Sequence, residues 1–264
     1  MARGNFWRLF RIMLLLYVLL FFAAGAFLAR ARTTDWDDTL YVGVYPVNGD
    51  RSTVSANYID ALDERTFADV EAFFARELRR YDIQISDPVV IKVGEEVVQL
   101  PPAPPGSDNI AAIMWWSLRL RFWGWRQQLG QPGVQPDITI YMIYHDPESH
   151  PRLAHSLGLQ KGLIGVVNAF ASRREAGANN VVLAHELLHT VGASDKYDPG
   201  TNQPVHPYGF AAPARMPLYP QSHAEIMGGR IPLSAARSET PASLRQVVVG
   251  PLTAAEIRWI RPGE

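Results

Sequence analysis

Beyond residue 36, apolar residues recur in two rhythms. Leu40–Val47 is a short run carrying Val42, Val44 and Tyr45. Val89–Val93, Asp137–Tyr144 and Gly162–Asn168 are similar runs, of the length expected for strands. Between them, Phe67, Val70, Phe73, Phe74 and Leu78 fall at helical spacing inside the charged segment Asp63–Tyr81. Asn109–Leu129 reads as a second helix. Val181–Leu188 reads as the apolar body of a third, with Asn179 and Asn180 as candidate N-caps and Gly192 as its stop. Strands alternating with helices predict a mixed sheet with helices packed on it.

The two ends of the chain depart from this rhythm. Ile12–Ala29 is uncharged, rich in Leu and Phe, and preceded by Arg3, Arg8 and Arg11. As a helix it spans about 27 Å, just under the thickness of a bilayer core. It is longer than the apolar centre of a typical signal peptide, so residues 1–32 are expected to be an uncleaved single-pass anchor. Ala24-Gly25-Ala26 and Ala29-Arg30-Ala31 keep a cleaved, secreted form open. The arginine balance leans towards an N-terminus inside, which places the remaining domain, 33–264, in the periplasm or outside the cell. Downstream, Pro199–Pro220 holds six prolines and no periodicity, as expected of a long surface loop. Thr253-Ala254-Ala255-Glu256 has the pattern of a capping box opening a last short helix.

Composition removes some function classes. The formal charge is −1, which gives no electrostatic case for nucleic acid. There is no cysteine, so disulfides and thiolate metal sites are excluded and a metal must be held by His and carboxylate. The aromatic-rich stretch holding Trp115, Trp116, Phe122, Trp123 and Trp125 is expected to pack on the sheet, with Arg119, Arg121 and Arg126 outward. The rival is a membrane-interface surface.

The chemistry concentrates in His185-Glu186-Leu187-Leu188-His189. Residues four apart share one face of a helix, so His185 and His189 can point two imidazoles at one ion. Glu186 beside them can take a proton from a metal-bound water. Gly192 can turn the chain out of the helix, and three further residues span at most about 10 Å, enough to return Asp195 to the same ion.

This run resembles the metzincin pattern H-E-x-x-H-x-x-G-x-x-H, with aspartate in place of the third histidine. The aspartate variant is similar to the snapalysin-like proteases, and Gly192–Asp198 is similar to the G-x-x-D-x-Y-D run of immune inhibitor A proteases. The resemblance implies an α+β, zincin-type fold with an upper sheet subdomain (37–192) and a small, loop-rich lower one (193–264). It implies Zn2+ held by His185, His189 and Asp195, with Glu186 as general base in peptide-bond hydrolysis. Met227, followed by two glycines, looks like the metzincin Met-turn. Glu225 is the rival third ligand. Tyr208 and Tyr219 are candidate oxyanion or cleft residues, and Gly165 and Val166 a candidate substrate-pairing strand. His145, His150 and His155 lie before that strand and can line the cleft. The expected partners are a protein or peptide substrate and a lipid bilayer through residues 12–29. Two alternatives stand beside the protease: a silent zinc-binding envelope protein, and a zinc hydrolase of a non-protein substrate.

Overall fold

A computed structural model describes residues 7–17, 20, 33–106, 109–129, 131, 135–160 and 163–260. Its frame is a five-stranded mixed sheet made of β1 (Leu40–Asn48), β2 (Val89–Val93), β3 (Ile138–His145), β4 (Leu157–Leu159) and β5 (Ile164–Phe170). The order across the sheet is β2-β1-β3-β5-β4. β1 pairs parallel with β2 and β3, β3 pairs parallel with β5, and only β4 runs antiparallel, at the edge.

β1 and β3 are buried along nearly their whole length because helices cover both faces of the sheet. Val42, Val44, Ile140 and Met142 face one side, where they meet the helix Ala68–Arg80 and the motif helix Ala176–Val191. Tyr45, Val47, Tyr141 and Ile143 face the other side, under the tryptophan-rich helix Ile110–Gln128. The apolar stripe of Ala68–Arg80 is fully buried at Val70, Phe74 and Leu78, each contributing about 1.5–3 kcal/mol. Asp63 caps the 3-10 turn that precedes this helix, accepting from Thr66 N at 3.2 Å.

Only half of the tryptophan-rich helix behaves as expected. Trp116, Leu120, Trp123 and Gly124, spaced at helical intervals, lie against the sheet. Trp123 meets Tyr141 edge-on at 4.5 Å, and Tyr141 Oη donates to Gly124 O at 3.1 Å. Trp115, Leu118, Phe122, Trp125 and Leu129 are exposed, so the helix carries a second apolar face turned to solvent.

After the motif helix come the hairpin of β6 (Tyr197–Asp198) and β7 (Gln203–Pro204), then β8 (Ala224–Glu225) and the hairpin of β9 (Ile231–Ser234) and β10 (Arg237–Glu239). β11 (Val247–Val248) pairs parallel with β8, and the helix Pro251–Glu256 follows it. This C-terminal part shares one hydrophobic cluster with the sheet, including Ile226, Met227, Val247, Val249, Ile257 and Trp259. Trp36 Nε1 donates to Ile257 O at 2.7 Å, and Tyr81 Oη donates to Val249 O at 2.7 Å. Glu77 is fully buried rather than on the wet side of its helix, bonded by Arg76, Arg80 and Val249 N. The two expected subdomains are therefore knit through one core.

The capping box expected at Thr253 does not form. Gly250 is the N-cap, Pro251 opens the helix, and Thr253 and Glu256 bond other parts of the chain. At the other end, residues 7–17 and 20 are helical and their apolar side chains are exposed. The rest of the expected anchor, including 21–32, lies outside the described residues. Among the described residues no helix is long and apolar enough to cross a membrane.

Candidate metal centre

The motif helix starts at Ala176, so Asn179 and Asn180 are internal and not caps. Their amides do other work. Asn179 donates to Phe170 O at 2.9 Å and accepts from Phe170 N at 3.1 Å, which fastens the helix to the end of β5. Asn180 Nδ2 donates to Thr66 O at 2.9 Å, tying the same turn to the neighbouring helix. The helix ends at Gly192, which takes φ +116°, a region that side chains with a Cβ avoid. The chain leaves this turn towards the face that carries both histidines.

Three ligand-type atoms meet there. His185 Nε2 and His189 Nε2 are 3.1 Å apart, and Asp195 Oδ1 lies 3.2 Å and 3.1 Å from them. Zinc bonds of about 2.0–2.1 Å at tetrahedral angles set ligand atoms about 3.3 Å apart. The triangle is thus the size of one face of a zinc tetrahedron. Its protonation also fits. His185 Nδ1 donates to Ile226 O at 2.9 Å and His189 Nδ1 donates to Ala193 O at 2.8 Å. In each neutral ring the proton is held on Nδ1, and the Nε2 lone pair faces the centre. Two lone pairs facing each other at this distance repel unless a cation or proton stands between them. Burial opposes ionisation of Asp195, yet the two histidines beside it hold its carboxyl well below the usual carboxylate range.

Glu186 is 5% exposed, and its Oε2 is buried with no hydrogen-bond partner. Burial pushes its carboxyl above the usual range, against the pull of His185, His189 and the Gly158 N–H. An orphaned carboxylate oxygen beside three converging ligands has an unmet need for a donor, which a water at the centre would meet.

The turn under the site comes from the C-terminal part. Glu225 O accepts from Gly228 N and Gly229 N at 3.0 Å, closing a tight turn in which Met227 is fully buried. Ile226 O in this turn orients His185, and Met227 O accepts from Lys196 N at 2.9 Å. Met227 thus lies in the turn that reaches the site through Ile226 O at His185 and through its own carbonyl at Lys196, next to Asp195. Glu225, the rival ligand, is turned away. Its carboxylate accepts from Gly228 N at 2.8 Å, Gly250 N at 3.0 Å and Thr253 Oγ1 at 2.7 Å, all within the C-terminal part.

A cleft of about 280 Å³ borders the site, lined in part by His155, Ser156, Asn168, His185, Glu186 and Tyr197. Three sequence expectations change here. The tyrosine at the site is Tyr197, whose ring centroid is 6.4 Å from that of His185 and whose hydroxyl is pushed up by burial and by Asp195. Tyr208, 58% exposed, and Tyr219, packed on Phe210 at 5.8 Å, are not among the residues that line this cleft. Gly165 and Val166 belong to β5, which is paired on both sides, by β3 and by β4, and has no free backbone for a substrate. The edge strand on this side of the sheet is β4. Of the three upstream histidines only His155 lines the cleft; His145 and His150 gather elsewhere with Asp50.

Gly158, in β4, is a site residue the sequence did not single out. A Cβ there would sit 2.7 Å from His189 Cβ and would strike the Glu186 carbonyl oxygen. Only glycine lets the edge strand lie this close to the motif helix. Glu256 is another. It accepts from Ser194 N at 3.0 Å and from Lys196 Nζ at 2.7 Å, gripping both neighbours of Asp195. Compared with known proteins, the chain matches no family model and no curated protein at a significant level.

Proposed function

We propose that this chain is a zinc-dependent peptide hydrolase. The observation that carries the reading is the triangle of His185 Nε2, His189 Nε2 and Asp195 Oδ1, with the unpartnered Oε2 of Glu186 beside it. A group of two imidazoles and one carboxylate with room for a further ligand suits zinc in a catalytic role. Zinc in such a setting supplies a polarised water of lowered pKa.

The rest of the work falls to the chain. Glu186 accepts a proton from the attacking water and returns it to the leaving amine, the role that its raised pKa and orphaned oxygen suit. Tyr197, beside Asp195, is the hydroxyl best placed to donate to the developing oxyanion. β4 ends the sheet beside the cleft, and an extended peptide can add to such an edge as a further strand. That geometry favours a polypeptide substrate over a small molecule.

The anchor belongs to the same reading. Arg3, Arg8 and Arg11 ahead of the Ile12–Ala29 run support attachment to a bilayer, with residues 33–264 in the periplasm or outside the cell. The silent zinc-binding alternative has no use for Glu186, since a structural site needs no base. Cleavage of a peptide library, with and without chelator, tests the proposal. Activity that chelator abolishes and zinc restores is expected. Zinc binding without cleavage of any peptide would support the silent alternative instead.

A further inference from the structure

A second gathering of ligand-type side chains lies at the C-terminal ends of β1 and β3. The two strands are parallel neighbours, so the residues just past their ends, Asp50 and His145–His150, come side by side. The side chain of Asp50 is 5% exposed. Its Oδ1 accepts from Ser52 N at 3.0 Å, its Oδ2 accepts from Asp146 N at 2.6 Å, and His150 Nδ1 lies 3.6 Å from that same Oδ2.

His145 supplies an independent sign of a ligand. Asn168 Nδ2 donates to His155 O at 3.1 Å, which turns Asn168 Oδ1 towards His145 Nε2, 3.3 Å away. The amide oxygen can only accept, so Nε2 carries the ring proton and Nδ1 presents a lone pair. That Nδ1 is buried and has no hydrogen-bond partner. An imidazole with one nitrogen fixed by an amide or carbonyl oxygen and the other bare has the protonation that metal-ligating histidines have. One ligand atom from each of Asp50, His145 and His150 lies within 4.8 Å of the others. That is wider than the about 3.3 Å between ligands on zinc. His150 follows a turn with its side chain 45% exposed, and rotation about its side-chain bonds, giving up the 3.1 Å contact of Nδ1 with Ser149 Oγ, would close the gap.

We propose that Asp50, His145 and His150 form a second divalent-metal site, for zinc or a similar imidazole-seeking ion, that fastens the 146–156 loop to the sheet. Its effect reaches the cleft through that loop. His155 and Ser156 line the cleft, and Asn168 joins the two places by bonding His145 with its side chain and Ser156 Oγ with its backbone N–H at 3.0 Å. A metal at Asp50, His145 and His150 therefore stiffens one wall of the cleft and the entry to β4 without touching the reacting atoms. Nothing in this depends on the His185 site being catalytic.

Zinc counting on the full chain separates the two sites. Wild type is expected to bind two zinc ions, and His150→Ala, an exposed change, one. His185→Ala/His189→Ala is expected to retain one as well, and the triple variant none. Limited proteolysis gives a second readout: zinc should protect the 146–156 loop in wild type and in the double variant, and lose that effect in His150→Ala. If His150→Ala binds as much zinc as wild type, the second site does not exist, whatever the His185 site does. If the double variant binds no zinc while wild type binds one, the second site is again rejected and the first one stands.

Discussion

Lys196 Nζ lies 2.7 Å from Glu256 Oε2, an ion pair between the loop that carries Asp195 and the helix Pro251–Glu256. The lysine is buried, its Nζ also donates to Ser194 O at 2.9 Å, and Ser194 Oγ bonds the other Glu256 oxygen at 2.6 Å. Asp195 is therefore held from both sides by a carboxylate some sixty positions later in the chain. Its side chain is still 42% exposed, because the clamp works through its neighbours.

Removing that clamp should loosen both the fold and the site. Glu256→Gln leaves a buried ammonium with a weaker partner, a loss of about 2 kcal/mol. Burial raises the Glu256 carboxyl, but Lys196 and Ser194 outweigh it and hold the group below its usual 4.5. A carboxyl lowered in the folded state contributes stability above its unfolded pKa and loses it as pH falls through the folded one. The melting-temperature gap between wild type and Glu256→Gln should thus be present at neutral pH and close in acid. A gap of equal size at both ends would rule out the ion pair as its cause. Zinc affinity should fall in the same variant, since Asp195 is then less firmly placed.

Gly158 predicts a defect of another kind. Adding one methyl at this position must push β4 away from Glu186 and His189. His189 is part of that contact, but its ring is held by Ala193 O and its helix is packed in the core, so the short edge strand is the part expected to give way. Gly158→Ala should keep its zinc while kcat/KM falls about a hundredfold, the scale that a misplacement of roughly 1 Å produces. Unchanged kcat/KM would mean that the edge strand does not position substrate.

The identity of the third ligand is open to direct test. Asp195→Ala should release zinc at a chelator concentration that wild type withstands, and Asp195→His should retain it. Glu225→Gln should lower stability by about 1–3 kcal/mol, because one of its buried donors then faces an amide N–H, and it should leave zinc in place. Zinc lost from Glu225→Gln in a folded protein would reverse the assignment.

What could be read from the sequence follows from the range of the forces involved. The strands Leu40–Asn48 and Val89–Val93, the helix Ala68–Arg80 and the Gly192 turn are set by local pattern, and each was legible in it. The helix Thr53–Asp60 was not, because it buries only Ser55 and Ile59 and leaves no apolar stripe in the sequence. β4 was missed because three residues, one of them glycine, make no alternation; its place is set by β5 and by the motif helix. Asn179 looks like a cap locally, yet Phe170 of β5 claims both ends of its amide. The two faces of the tryptophan-rich helix are both aromatic, so composition alone could not tell which one is buried. Glu225 and Asp195 were both available carboxylates in sequence, and only the folded C-terminal part assigns Glu225 to Gly250 and Thr253.

The central claim is that Glu186 acts on a water activated at the His185–His189–Asp195 centre. Glu186→Gln is nearly the same size and leaves all three ligands untouched, so zinc content and melting temperature should match wild type. Replacing the general base should cost about 10²–10⁴-fold in turnover. The decisive measurement is therefore peptide-cleavage kcat for wild type and Glu186→Gln at equal zinc occupancy. A loss of about a thousandfold with the metal retained is the predicted result. Equal kcat in the two proteins would contradict the account.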